Sequence, residues 1–89
     1  MIEKRLTIIN KLGLHARAAA KLVTTASQFQ SDIRITRDNR EIDGKSIMSV
    51  MMLAASKGTE LQLSAHGDDE QDALDALEYL INNRFDEPE

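Results

Sequence analysis

Gly13-Leu14-His15-Ala16-Arg17 is the stretch of this 89-residue chain in which residue type, spacing and setting converge on a reaction. Helical periodicity begins directly after His15, and the first turn of a helix has N–H groups without partners and partial positive charge, a setting that suits an anion such as phosphate. That helix end opposes a second positive charge on an imidazole at its mouth, which keeps a ring nitrogen lone pair free to attack phosphorus. Arg17 can add a charge-assisted hydrogen bond to the same group. Gly13 permits a loop conformation closed to other residues and a close approach of backbone to the ligand. On spacing alone two readings stand: a phosphorylatable histidine, or a histidine that merely caps a helix beside a solvated arginine.

Two further features invite a functional reading. Ser46 precedes the apolar run Ile47-Met48-Ser49-Val50-Met51-Met52-Leu53-Ala54-Ala55, where serine is a preferred N-cap. With Val50, Leu53 and Ala54 facing inward, Met48 and Met51, together with Ile47, are left near the surface, where methionine suits adaptable binding to several partners. His66, beside Gly67, has no ligating or catalytic companions and reads as a surface residue. There is no cysteine, no His/Cys/Asp/Glu set that predicts a metal, and no motif for a cofactor. A small-molecule enzyme would need convergent acid, base and pocket residues that the sequence does not offer.

The elements that must position His15 follow from periodicity. Ile2, Leu6 and Ile8 alternate with Glu3, Arg5 and Thr7 as a half-buried strand. Asn10-Lys11-Leu12-Gly13 breaks that pattern, and Ala16, Ala19, Ala20, Val23 and Ala26 then supply the expected inner face of a helix. Residues 32–37, with Ile33 and Ile35 inward, turn at Asp38-Asn39 and return through 40–43 as a hairpin. The short helix after Ser46 ends at Lys57-Gly58. Leu61, Leu63 and Ala65 mark another strand, and Ala73, Leu74, Leu77, Leu80 and Ile81 the stripe of a last helix. The tail from Phe85 to Glu89 is expected to fray. The order βαββαβα, with one apolar face per strand, predicts an α+β fold of one domain over 1–89: an antiparallel sheet covered by helices on one side.

Charge bounds the partners. The net charge of −4 argues against nucleic acid, which is held through a basic surface, and favours proteins. Lys4, Arg5, Lys11, Arg17 and Lys21 lie early and Asp68, Asp69, Glu70, Asp72, Asp75, Asp86, Glu87 and Glu89 late, so an acidic helix should pair with a basic N-terminal region. No apolar run reaches the roughly 20 residues of a membrane span, and residues 1–5 lack a signal-peptide core, so a cytoplasmic protein is expected.

Asn10-Lys11-Leu12-Gly13-Leu14-His15-Ala16-Arg17 closely resembles the active-site segment of the histidine-containing phosphocarriers, the HPr family of the bacterial phosphotransferase system. Gly44-Lys45-Ser46-Ile47-Met48-Ser49-Val50-Met51-Met52-Leu53 resembles that family's second motif at the proper distance. The resemblance implies a four-stranded antiparallel sheet covered by three helices, and a monomer that accepts a phosphoryl group from enzyme I on Nδ1 of His15 and passes it to an enzyme IIA-type protein. It implies that Arg17 stabilises the phosphate, that the amides of Ala16 and Arg17 complete the site, and that Leu14, Ala20, Lys21, Ile47, Met48 and Met51 dock partners. It further makes Ser46 a candidate for an ATP-dependent HPr kinase/phosphorylase, whose phosphate would add about two negative charges beside the docking surface. Many members read His-Ala-Arg-Pro where this chain has Ala18, so a slightly softer helix start is expected. A regulatory interaction domain, with relay secondary, is the alternative. The resemblance leaves the sugar-uptake and nitrogen-related branches both open.

Overall fold

The computed structural model describes residues 1–89. Its sheet forms where alternation leaves one face apolar. β1 (Ile2–Thr7) turns Leu6 inward, with Ile8 buried just past its end, and β2 (Asp32–Arg37) turns in Ile33 and Ile35. β3 (Arg40–Asp43) closes the hairpin, and β4 (Glu60–His66) buries Leu61, Leu63 and Ala65. Asp38 and Asn39 both have positive φ, 49° and 68°, the geometry of a two-residue hairpin turn whose twist matches its strands.

Every pairing is antiparallel and the spatial order is β1-β4-β2-β3. Leu6 lies opposite Leu61 and Ile35 opposite Leu63, so the register gathers the apolar side chains on one face. The three helices α1 (Ala16–Ser27), α2 (Ile47–Met52) and α3 (Glu70–Asn82) cover that face. The other face stays polar, with Gln62 donating to Glu3 at 2.6 Å and Arg5 to Glu60 at 3.1 Å. No helix is long and apolar enough to cross a membrane.

Three expectations need correction. The buried face of α1 consists of Ala18, Ala19, Leu22 and Ala26, whereas Ala16 is exposed and Ala20 and Val23 are half-buried. Four alanines among residues 16–20 give the first turn no contrast between faces, so its sequence does not fix which side packs inward. α2 ends at Met52, and Ala54 adopts φ 51°, which turns it outward and sends Ala55 into the core in its place. Arg40 donates to the Met52 carbonyl at 3.3 Å and Arg37 to that of Ala54, just past the helix, at 2.9 Å, so the chain's polar groups at this end are satisfied.

The third correction is the tail, which is docked. A 3-10 turn over Arg84–Asp86 carries positive φ at all three residues, a conformation that costs an L residue roughly 1 kcal/mol or more. Complete burial of Phe85 offsets that cost, and Lys21 Nζ donates to the Phe85 carbonyl at 2.8 Å. The basic start and acidic end do pair: Lys4 meets Glu78 at 2.6 Å and the N-terminal amine meets Glu70 at 3.4 Å.

Candidate functional site

The loop before α1 is pinned from three directions. Asn10 is buried, and its Nδ2 donates to Gly13 O at 2.8 Å and to Glu87 Oε1 at 2.9 Å. Gly13 takes φ +67°, and a Cβ there would lie 2.6 Å from the Ala55 carbonyl oxygen. That same oxygen accepts the Leu14 amide at 2.8 Å. The conformational freedom of Gly13 is therefore used, but what its backbone approaches is the 55–56 segment and not a ligand.

His15 occupies the N-cap position of α1 with extended backbone, φ −72° and ψ 176°, and its side chain makes no capping bond. The imidazole turns instead to the C-terminal tail, where Nε2 meets Glu87 Oε2. The His15 side chain is 28% exposed and that of Glu87 12%. The hydrogen bond from Asn10 holds the Glu87 carboxyl below the usual carboxylate range; the contact with His15 and the nearby charges of His15 and Arg17 act the same way, against a smaller opposing effect of burial. An ionised carboxylate can only accept, so Nε2 carries the hydrogen, and in the neutral ring the lone pair then resides on Nδ1.

The first turn of α1, which follows His15, presents the amides of Ala16, Arg17 and Ala18, none with an acceptor in the chain. Arg17 is exposed and makes neither a hydrogen bond nor an ion pair, so its guanidinium is free to swing to an anion. His15, Arg17, Lys11 and Leu12 line one shallow cleft with Glu87, Pro88 and Glu89 of the tail. The chemistry this supports is attack by an oriented imidazole on phosphorus, with the anion received by a cation and helix amides.

Ser46 is the N-cap of α2, accepting from the Ser49 amide at 3.4 Å, and it is half-buried. Ile47, Met48 and Met51 are exposed as expected, Met48 by 70%. Leu14, expected among the docking residues, is 6% exposed and packs in the core, and its amide donates a hydrogen bond to the Ala55 carbonyl. Leu12 and Met52 are further exposed apolar side chains of these segments. Ala20 is half-buried, and Lys21 is engaged by the tail through Phe85 and, at 3.7 Å, Asp86. The two site residues that sequence reasoning did not assign are Asn10 and Glu87. A large apolar residue, Phe85, two positions before Glu87 was the available hint that the tail is anchored.

A family model described as "PTS HPr component phosphorylation site" matches residues 2–83. Phosphocarrier protein HPr of Pseudomonas aeruginosa is 60% identical over 85 residues, 94% of each chain. That of Cupriavidus necator is 55% identical over the whole of both chains. Among solved structures, HPr from Thermoanaerobacter tengcongensis superposes with a TM-score of 0.97 at 48% identity, covering both chains completely. A structure described as an HPr dimer from the same organism gives 0.79 at 49% identity, over 98% of this chain and 100% of that one.

Proposed function

This chain belongs to the HPr family and is a phosphocarrier of the phosphotransferase system, and from that premise we propose that Nδ1 of His15 carries the phosphoryl group. The lone pair of Nδ1 attacks phosphorus on phosphorylated enzyme I, the donor's bond to phosphorus breaks with its electron pair leaving on the donor, and the hydrogen stays on Nε2. Arg17 and the amides of Ala16 and Arg17 receive the phosphoryl oxygens. An enzyme IIA-type protein then takes the group by the reverse displacement. The observation that carries this reading is the contact between His15 Nε2 and Glu87, since it leaves Nδ1 as the nucleophilic atom.

In this reading the chain is a carrier and catalyses no reaction on a small molecule. Residues 1–89 act as one domain, a monomer in the cytoplasm, and dock partners through Ala20, Lys21, Ile47, Met48 and Met51. Ser46 is a site for an HPr kinase/phosphorylase, its phosphate opposing acidic partners at the same surface. The regulatory-domain reading is not favoured by relatives named as phosphocarriers. The test is labelling with phosphoenolpyruvate and enzyme I: the parent should take up phosphate and His15→Ala should not, and equal labelling of both would overturn the assignment.

A further inference from the structure

The docked tail has a consequence for the reaction. Glu87 reaches His15 from 72 positions away, across a 3-10 turn whose three positive-φ residues are held by the burial of Phe85. Its two oxygens are divided: Oε1 accepts from Asn10 and Oε2 from His15. Asn10 is in turn fixed by its second bond, to Gly13 O in the loop that delivers His15. Loop, ring and tail thus form one chain of hydrogen bonds, Gly13–Asn10–Glu87–His15, around a carboxylate shielded from most solvent.

We propose that Glu87 is a positioning residue for phosphoryl transfer: its carboxylate, set by Asn10, holds the His15 ring through Nε2–H and balances the positive charge the ring acquires as Nδ1 bonds to phosphorus. This rests on His15 being the phosphorylated residue. When the Nδ1 lone pair is shared with phosphorus while Nε2 keeps its hydrogen, both nitrogens are substituted and the ring is formally an imidazolium. A carboxylate fixed on the opposite nitrogen is a negative charge already in place where positive charge develops, so no rearrangement is required at the moment of transfer. The same bond restricts rotation of the ring and so limits the directions Nδ1 can face. Arg17 is left without a hydrogen-bonding partner of its own, which keeps it available to the incoming phosphoryl group.

A purely structural role, in which Glu87 only fastens the tail, makes a different set of expectations. The test uses the full chain and three versions of it: parent, Glu87→Ala and Glu87→Gln. In the unphosphorylated proteins, nitrogen-15 NMR of the His15 ring reads the Nε2–H proton and its exchange with water. Steady-state phosphorylation by enzyme I and phosphoenolpyruvate reads kcat and KM for the carrier. The parent should show a protected Nε2–H. Glu87→Ala should speed its exchange and lower kcat about tenfold, with KM changed less than about twofold, the size expected for loss of one hydrogen bond to a charged group. Glu87→Gln, whose amide oxygen can still accept, should keep the protected Nε2–H yet lose part of kcat.

Unaltered exchange and kcat in Glu87→Ala would overturn the proposal, as would a rise in KM alone, which would make the tail a docking element. If Glu87→Ala fails to fold, the Gln variant decides: kcat equal to the parent's would rule out the charge-balancing role. A parent that takes up no phosphate on His15 would count against the phosphocarrier assignment of that residue, whereas the ring NMR reports on the Glu87 contact independently.

Discussion

The Leu14 amide donates to the carbonyl oxygen of Ala55 at 2.8 Å, one residue before His15 and three beyond the end of α2. This bond ties the loop that presents the imidazole to the segment that follows α2, the helix capped by Ser46 and carrying the exposed methionines. It exists because Gly13 lets the two segments approach within a distance that any side chain would prevent.

Gly13→Ala should therefore be costly. The new Cβ would sit 2.6 Å from Ala55 O and 2.8 Å from Ser56 Cα, both backbone, at a φ of +67°. Left-handed strain and overpacking together predict a loss of about 2–4 kcal/mol. Urea unfolding checks it, and a loss below about 1 kcal/mol would show that the loop can separate from residues 55–56 without penalty.

Phe85→Ala should destabilise the fold by about 3–5 kcal/mol, as truncation of a completely buried aromatic does. It should also release the tail, so that the amides of Asp86 and Glu87 exchange rapidly in conditions where those of β4 remain protected. Retained protection of the Glu87 amide would mean that the tail is held by something other than Phe85.

Ser46→Ala should cost about 0.5 kcal/mol, the lower end for loss of an N-cap, because the bond to the Ser49 amide is long at 3.4 Å. Ser46→Asp keeps an acceptor and should lose less. Thermal unfolding of the two variants side by side separates the capping role from any effect of charge on partner docking, which enzyme I assays read.

Asp69 predicts an acid limit. Its carboxylate accepts from the Ser31 hydroxyl and from the Gln30 and Ser31 amides, each amide at 2.9 Å, and these bonds hold it below the usual aspartate range, the Ser31 hydroxyl most of all. A carboxyl with a depressed folded pKa contributes stability that is present above its unfolded value and disappears as pH falls through the folded one. Stability of the parent should therefore decline below about pH 4. In Asp69→Asn that part of the decline should be absent and the neutral-pH stability lower. Parallel pH profiles of the two proteins would contradict the assignment.

How much of this was legible depended on contrast along the chain. The strands alternate cleanly, Asp38-Asn39 are residues that tolerate left-handed φ, and Ser46 stands where a cap belongs, so sheet, hairpin and α2 start follow from local sequence. The first turn of α1 did not, since alanine on every side carries no directional signal. Leu12 and Leu14 sit in irregular backbone without a period, and which of them points inward is settled by the bond to Ala55. The end of α2 turns on an alanine in a conformation alanine rarely adopts. At the site, His15 and Arg17 were readable as a local cluster, whereas Glu87 belongs to it through a contact across 72 positions that only tertiary packing of Phe85 produces.

The most direct measurement is phosphorus and nitrogen-15 NMR of the protein after phosphorylation by enzyme I and phosphoenolpyruvate, which identifies the nitrogen bonded to phosphorus. The account predicts one phosphoryl group, on Nδ1 of His15, with a hydrogen retained on Nε2 opposite Glu87. A phosphoryl group on Nε2, or on any residue other than His15, would contradict it.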